Sequence, residues 1–105
     1  MGIFGFLERS DIDAGVEKFK KTPGSVLIDV RNAEEFKSGH IPGSINIPDK
    51  EIESVESIVG NREAYIYLYC LSGARYWNAE KKLKSLGYKN AKSIGGINQY
   101  TGTLE

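Results

Sequence analysis

Two short apolar runs, Val26 to Val30 and Tyr65 to Tyr69, each lead through a brief loop into a helical pattern, and no hairpin signal joins the apolar runs of this chain. Val26-Leu27-Ile28 followed by Asp29-Val30 is rich in β-branched residues and lacks polar alternation, which reads as a strand buried on both faces with Asp29 at its end. Strands that alternate with helices in this way form a mainly parallel sheet with helices packed on it, so the fold class is α/β.

The intervening segments carry matching start and stop signals. Ser10 is placed to cap a helix over Asp11 to Lys20, with Ile12, Val16 and Phe19 on one face and Thr22-Pro23-Gly24 ending it. Asn32 caps a short helix through Ala33 to Lys37, which Gly39 closes. Ser44 to Ile47 alternates like a short strand, and Pro48 opens a helix that should turn Ile52, Val55, Ile58 and Val59 inward. Tyr76 to Leu86 forms the longest predicted helix, capped by Gly87, and Ala91 to Ile94 the last strand.

At 105 residues the chain suits a single domain over 1–105, with its core over about 10–102. Fourteen basic side chains balance fourteen acidic ones, so no global field recruits nucleic acid. The lone cysteine cannot form an internal disulfide and has no histidine at zinc-ligand spacing, so no metal or other cofactor is expected and a reducing cytoplasm is the simplest location. No segment approaches membrane-spanning length. The apolar start, with Ile3, Phe4, Phe6 and Leu7, lacks the basic beginning of a signal peptide and is expected to pack on the domain. Leu104-Glu105 receives no role.

That cysteine, Cys70, follows the run Tyr65 to Tyr69 directly and precedes Leu71-Ser72-Gly73-Ala74-Arg75. Open α/β sheets bind ligands at such strand ends. A glycine free to take positive φ, a nearby helix start and a guanidinium all favour a thiolate, whereas a cysteine used only for packing gains nothing from them. Cys70 is therefore read as a nucleophile, partly exposed and with a lowered pKa.

Two separated segments then converge on one family. Leu27-Ile28-Asp29-Val30-Arg31, Glu34-Glu35-Phe36 and Gly39-His40-Ile41-Pro42-Gly43-Ser44-Ile45-Asn46-Ile47-Pro48 resemble the N-terminal signature of rhodanese-like sulfurtransferase domains. The Cys70 to Arg75 loop is similar to their active-site loop, and Leu86-Gly87-Tyr88, Gly95-Gly96-Ile97 and Tyr100-x-Gly102 match their C-terminal half. The resemblance implies a three-layer sandwich with a mainly parallel central sheet flanked by helices. It also implies that Cys70 takes up a sulfane sulfur as a persulfide, held by the loop Leu71, Ser72, Gly73, Ala74 and Arg75. The partners it implies are a small-molecule sulfur donor and a thiol acceptor, a protein persulfide or thioredoxin-like protein included.

Departures from the family pattern bear on the donor. Many thiosulfate-using members carry a basic residue after the cysteine, where Leu71 stands here, so thiosulfate is expected to be a poor donor. Tyr76 and Trp77 follow the loop arginine; they either form the rim of the site or serve packing, Trp77 in the core and Tyr76 on the helix surface. Asp29 and Arg31 are expected to support the loop as a hydrogen-bonded set rather than to tune the thiol, and His40 to be structural. Two other readings compete with the sulfurtransferase. One is a catalytically quiet binding or sensing module. The other is a phosphatase or arsenate reductase of related fold, disfavoured because only four residues separate Cys70 from Arg75 and no second thiol is present to resolve the first.

Overall fold

The computed structural model describes residues 11–72 and 76–105, excluding the side chains of Tyr76 and Trp77. The apolar N-terminal segment and its Ser10 cap lie outside the described residues, as do Gly73, Ala74 and Arg75.

Helix α1 (Asp11–Lys21) begins with Asp11 and Asp13 and ends with Lys18, Lys20 and Lys21, a distribution that complements the helix dipole. Its buried face, Ile12, Gly15 and Val16, lies against the sheet. Strand β1 (Val26–Asp29) leads into α2 (Ala33–Ser38), whose start is fixed by a capping box. There the Asn32 side chain accepts from the Glu35 amide at 2.8 Å, and the Glu35 carboxylate accepts from the Asn32 amide at 3.0 Å. Strand β2 (Ile45–Asn46), a 3-10 helix (Asp49–Ser57), β3 (Ile66–Cys70), α3 (Tyr76–Ser85), β4 (Ala91–Gly96) and a 3-10 turn (Ile97–Gln99) complete the order.

The four strands form one parallel sheet in the order β2-β1-β3-β4. The two central strands are the two apolar runs, and all five positions of β3 are buried. Alternation along β1 and β3 divides the core. Leu27, Tyr67 and Tyr69 join Ile12, Val16 and Ile94 on the α1 side. Ile28, Leu68 and Cys70 join Ile52, Val55 and Leu83 on the side covered by the 3-10 helix and α3. Helices therefore cover both faces, as a parallel sheet requires. At the outer strand β4, Glu80 of α3 accepts from the Ser93 amide at 2.8 Å and thereby occupies an edge donor. Burial alone would raise the Glu80 carboxyl, but hydrogen bonds from Ser93 and Lys84 outweigh it and hold the pKa below its ordinary value.

Some sequence expectations are corrected. Ile58 does not face the core; it is 54% exposed. The 3-10 helix stops at Ser57, and the Val59 amide reaches back four residues to Val55, a wider turn that brings Val59 inward in its place. Tyr65 precedes β3 and is exposed, while its carbonyl still accepts from Val26 at 2.9 Å. Glu105, given no role from sequence, exchanges backbone hydrogen bonds with His40 at 2.8 and 3.3 Å.

Candidate active site

The carboxyl ends of β1, β3 and β4 bring Asp29, Cys70 and Gly96 to one end of the sheet, where the register pairs Cys70 with Gly96. Cys70 is the last residue of β3, and its side chain turns to the α3 side with Val30 and Leu68. It is 1% accessible, which corrects the expectation of a partly exposed thiol. The cause is its place in the strand alternation: the residue points into the core as Leu68 does, and the chain reaches solvent one position later. Leu71 is 43% exposed and Ser72 is exposed as well. Of the rest of the expected loop, Gly73, Ala74 and Arg75 lie outside the described residues; Tyr76 and Trp77 begin α3.

Asp29 and Arg31 form the expected hydrogen-bonded set. Asp29 is fully buried and Arg31 is 5% accessible. The Arg31 guanidinium donates to both carboxylate oxygens, through Nε at 3.0 and 3.1 Å and through Nη2 at 2.7 Å, and its backbone amide adds a bond at 2.8 Å. Desolvation opposes the Arg31 charge, but the hydrogen bonds and charge of Asp29 outweigh it and hold the guanidinium above its ordinary pKa. Nη2 also donates to the Gly39 carbonyl at 2.7 Å, so the pair fixes the turn after α2.

Tyr69 holds the same turn from β3. Its hydroxyl accepts from the Ile41 amide at 3.1 Å and shares a hydrogen bond with Ser44 at 2.9 Å. Burial pushes its pKa up to about 12, against the lowering effect of the Ser44 and Ile41 hydrogen bonds. His40 stacks on Phe36 at 3.8 Å between ring centres, and its Nδ1 lies 2.9 Å from the Phe36 carbonyl oxygen, contacts that fit a structural role.

Sequence reasoning missed three residues. The Asn46 side chain donates to the carbonyls of Asp29 at 3.0 Å and Arg31 at 2.9 Å, tying β2 to the end of β1. The Asn98 amide donates to the Leu71 carbonyl at 3.1 Å, and Gly96 lies beneath the same segment. The Gly95-Gly96 pair is a visible signal, but its meaning depends on the β3–β4 register. Beside the site, a recess of about 300 Å³ is lined by Val30, Asn32, Ala33, Pro48 and Asp49 among others. A second, of about 290 Å³, continues from Asp49 and Lys50 to Asn78 and Lys82. Their linings mix both charge signs with apolar side chains.

A profile of the rhodanese-like domain matches residues 13–103. The chain belongs to the rhodanese-like domain family. It is 34% identical over 71 residues to the thiosulfate sulfurtransferase PspE of Escherichia coli, covering 67% of this chain and 68% of that protein. It is 33% identical over 103 residues to the adenylyltransferase and sulfurtransferase uba4 of Ogataea parapolymorpha, and 32% identical over 95 residues to the putative sulfur carrier protein YrkF of Bacillus subtilis. These matches cover 97% and 90% of this chain but only 26% and 51% of the two larger proteins. Among solved structures, an E. coli rhodanese with anions superposes with a TM-score of 0.72 at 29% identity, over 77% of this chain and 96% of that one. The human single-domain sulfurtransferase TSTD1 gives 0.70 at 27% identity, over 82% and 88%. The rhodanese-like domain's four-stranded parallel sheet and flanking helices accord with these neighbours.

Proposed function

We propose that this rhodanese-like domain is a sulfurtransferase that carries a sulfane sulfur on Cys70. The observation that supports this most directly is the position of Cys70 as the last residue of a central parallel strand, with the chain reaching solvent at Leu71. In the loading step the Cys70 thiolate attacks the outer sulfur of a donor. The new bond joins the two sulfurs while the donor's own S–S bond breaks, and the leaving group, sulfite or a thiolate, departs with the electron pair. In the discharge step an acceptor thiolate attacks the terminal sulfur and the Cys70 thiolate is regenerated. The domain holds no second cysteine to resolve the persulfide, so the acceptor thiol lies outside these 105 residues.

A sulfur in so dry a position holds negative charge only if donors replace the lost water. Loop amides from Leu71 to Arg75 and the Arg75 guanidinium are assigned that task, each charge-assisted hydrogen bond contributing about 1.5–3 kcal/mol. The exposed, apolar Leu71 favours a donor of low charge, such as a persulfide, over dianionic thiosulfate. The burial of Cys70 favours one second reading, a binding or sensing module with negligible turnover.

Intact mass spectrometry after incubation with thiosulfate and with a low-molecular-weight persulfide separates the two. The sulfurtransferase gains one sulfur, loses it to added thiol, and shows neither event in a folded Cys70→Ser protein. Failure of the wild type to gain sulfur from either donor would favour the binding module.

A further inference from the structure

Strand β4 contains one residue more than its partner requires. Leu68 pairs with Ser93 and Tyr69 with Gly95, so Ile94 is an inserted, bulged residue. The bulge is seated from below, because Gly15 of α1 approaches so closely that a Cβ there would stand 2.6 Å from the Ile94 Cβ. Its effect on register is to set Gly96, rather than Gly95, opposite Cys70.

Gly95 and Gly96 are glycines for different reasons. Gly95 has φ +127°, a conformation that L side chains resist, and its neighbour is Ile12 of α1. Gly96 has an ordinary φ of −113°, open to any residue. What it lacks is room: a Cβ there would overlap the Leu71 carbonyl and stand 2.8 Å from the Ser72 Cα, both backbone groups that cannot swing aside. One turn later the Asn98 amide donates to that same Leu71 carbonyl. The first two residues after Cys70 thus rest on a bare glycine and are tied by one amide.

We propose that Gly96 and the Asn98 amide are positioning elements for the start of the cysteine loop, fixing the direction in which the Leu71-Ser72 backbone leaves Cys70. The proposal rests on the reading of Cys70 as the sulfur carrier. Each is argued to act through the Leu71-Ser72 backbone, which both of them meet. Displacing reacting groups by about 1 Å can cost 10²-fold in rate.

The test compares Gly96→Ala with Gly95→Ala. Gly96→Ala should slow sulfur loading of Cys70 on the order of 10²-fold. Gly95→Ala should lower thermal stability yet leave the loading rate near wild type. Equal loading by Gly96→Ala and wild type, or equal loss in both variants, overturns the proposal. Wild-type protein supplies a measurement that needs no variant to fold. The Asn98 amide should be protected from hydrogen exchange, and its resonance and that of Gly96 should shift on Cys70 alkylation more than that of Lys92 at the far end of β4. An unprotected Asn98 amide, or shifts no larger than that of Lys92, also overturns it. A wild type that never gains sulfur but passes the exchange and alkylation tests would refute sulfur transfer while keeping the positioning role.

Discussion

Tyr69 and Cys70 are adjacent in β3, point to opposite faces of the sheet, and are held in opposite ways. On the Tyr69 side the end of the sheet is fixed by buried side chains: the Asp29–Arg31 fork reaches the Gly39 carbonyl, and the Tyr69 hydroxyl pairs with Ser44. On the Cys70 side it is fixed by backbone and by the lack of a side chain, through the Asn98 amide and Gly96. A saturated polar network is stable but has no spare donor for a substrate. The buried charges Asp29 and Arg31 therefore hold the turn after α2, and the proposed chemistry lies on the other face, with Cys70.

The largest effect expected from this contrast is on stability. Asp29→Asn leaves the Arg31 guanidinium buried without its counter-charge, which should cost about 3–5 kcal/mol in chemical denaturation, whereas Asp29→Asn combined with Arg31→Met should recover much of it. In protein that remains folded, the Cys70 alkylation rate should stay close to wild type. A variant that kept its stability and lost thiol reactivity would join the two sides into one functional unit and break the comparison.

Tyr69→Phe should have a smaller effect, about 1–3 kcal/mol, because it strips a partner from the Ile41 amide and the Ser44 hydroxyl. The same network gives a pH signature. The folded protein holds the neutral Tyr69 phenol up to about pH 12, while the unfolded chain loses that proton near 10. Its stabilising contribution is thus complete below pH 10 and declines as pH rises from 10 toward 12. Denaturation followed across that window should show a steeper loss in wild type than in Tyr69→Phe; parallel curves would remove Tyr69 from the scaffold.

The strand-helix alternation was legible in the sequence because the apolar runs are short, β-branched and separated by caps, and a parallel sheet follows from that pattern. The Asp29–Arg31 set was legible too, since a carboxylate and a guanidinium two residues apart at a strand end are within reach of each other. The accessibility of Cys70 was not. It depends on whether the last residue of β3 points in or out, and a one-residue shift in strand length reverses that. The glycine pair was visible but the place of Gly96 opposite Cys70 was not, for a related reason: the Ile94 bulge changes the pairing partner of Cys70, and nothing in Ala91 to Gly96 marks where an extra residue enters. Ile58 was misassigned because a 3-10 helix and an α-helix turn different residues of the same apolar set inward.

The smallest effect expected is at Leu71, and it tests whether donor choice also lies on the Cys70 side. Leu71 follows the cysteine directly and is 43% exposed, so a cation placed there would meet an approaching donor without burial of its own. Leu71→Arg should raise kcat/KM for thiosulfate by a few-fold, mostly through KM, since attraction between charges near water amounts to roughly 1 kcal/mol. The gain should shrink between low and physiological ionic strength, where the screening length falls to about 8 Å. A persulfide donor of low net charge should respond less at every salt concentration. Steady-state kinetics with both donors would check each part, and an unchanged or lower thiosulfate rate in a natively folded variant would move donor selection away from Leu71. Lys50 and Lys82, which line recesses on the 3-10 helix and α3, would then be the next cations to remove, and loss of thiosulfate use on their neutralisation would assign the donor site to those helices rather than to the loop.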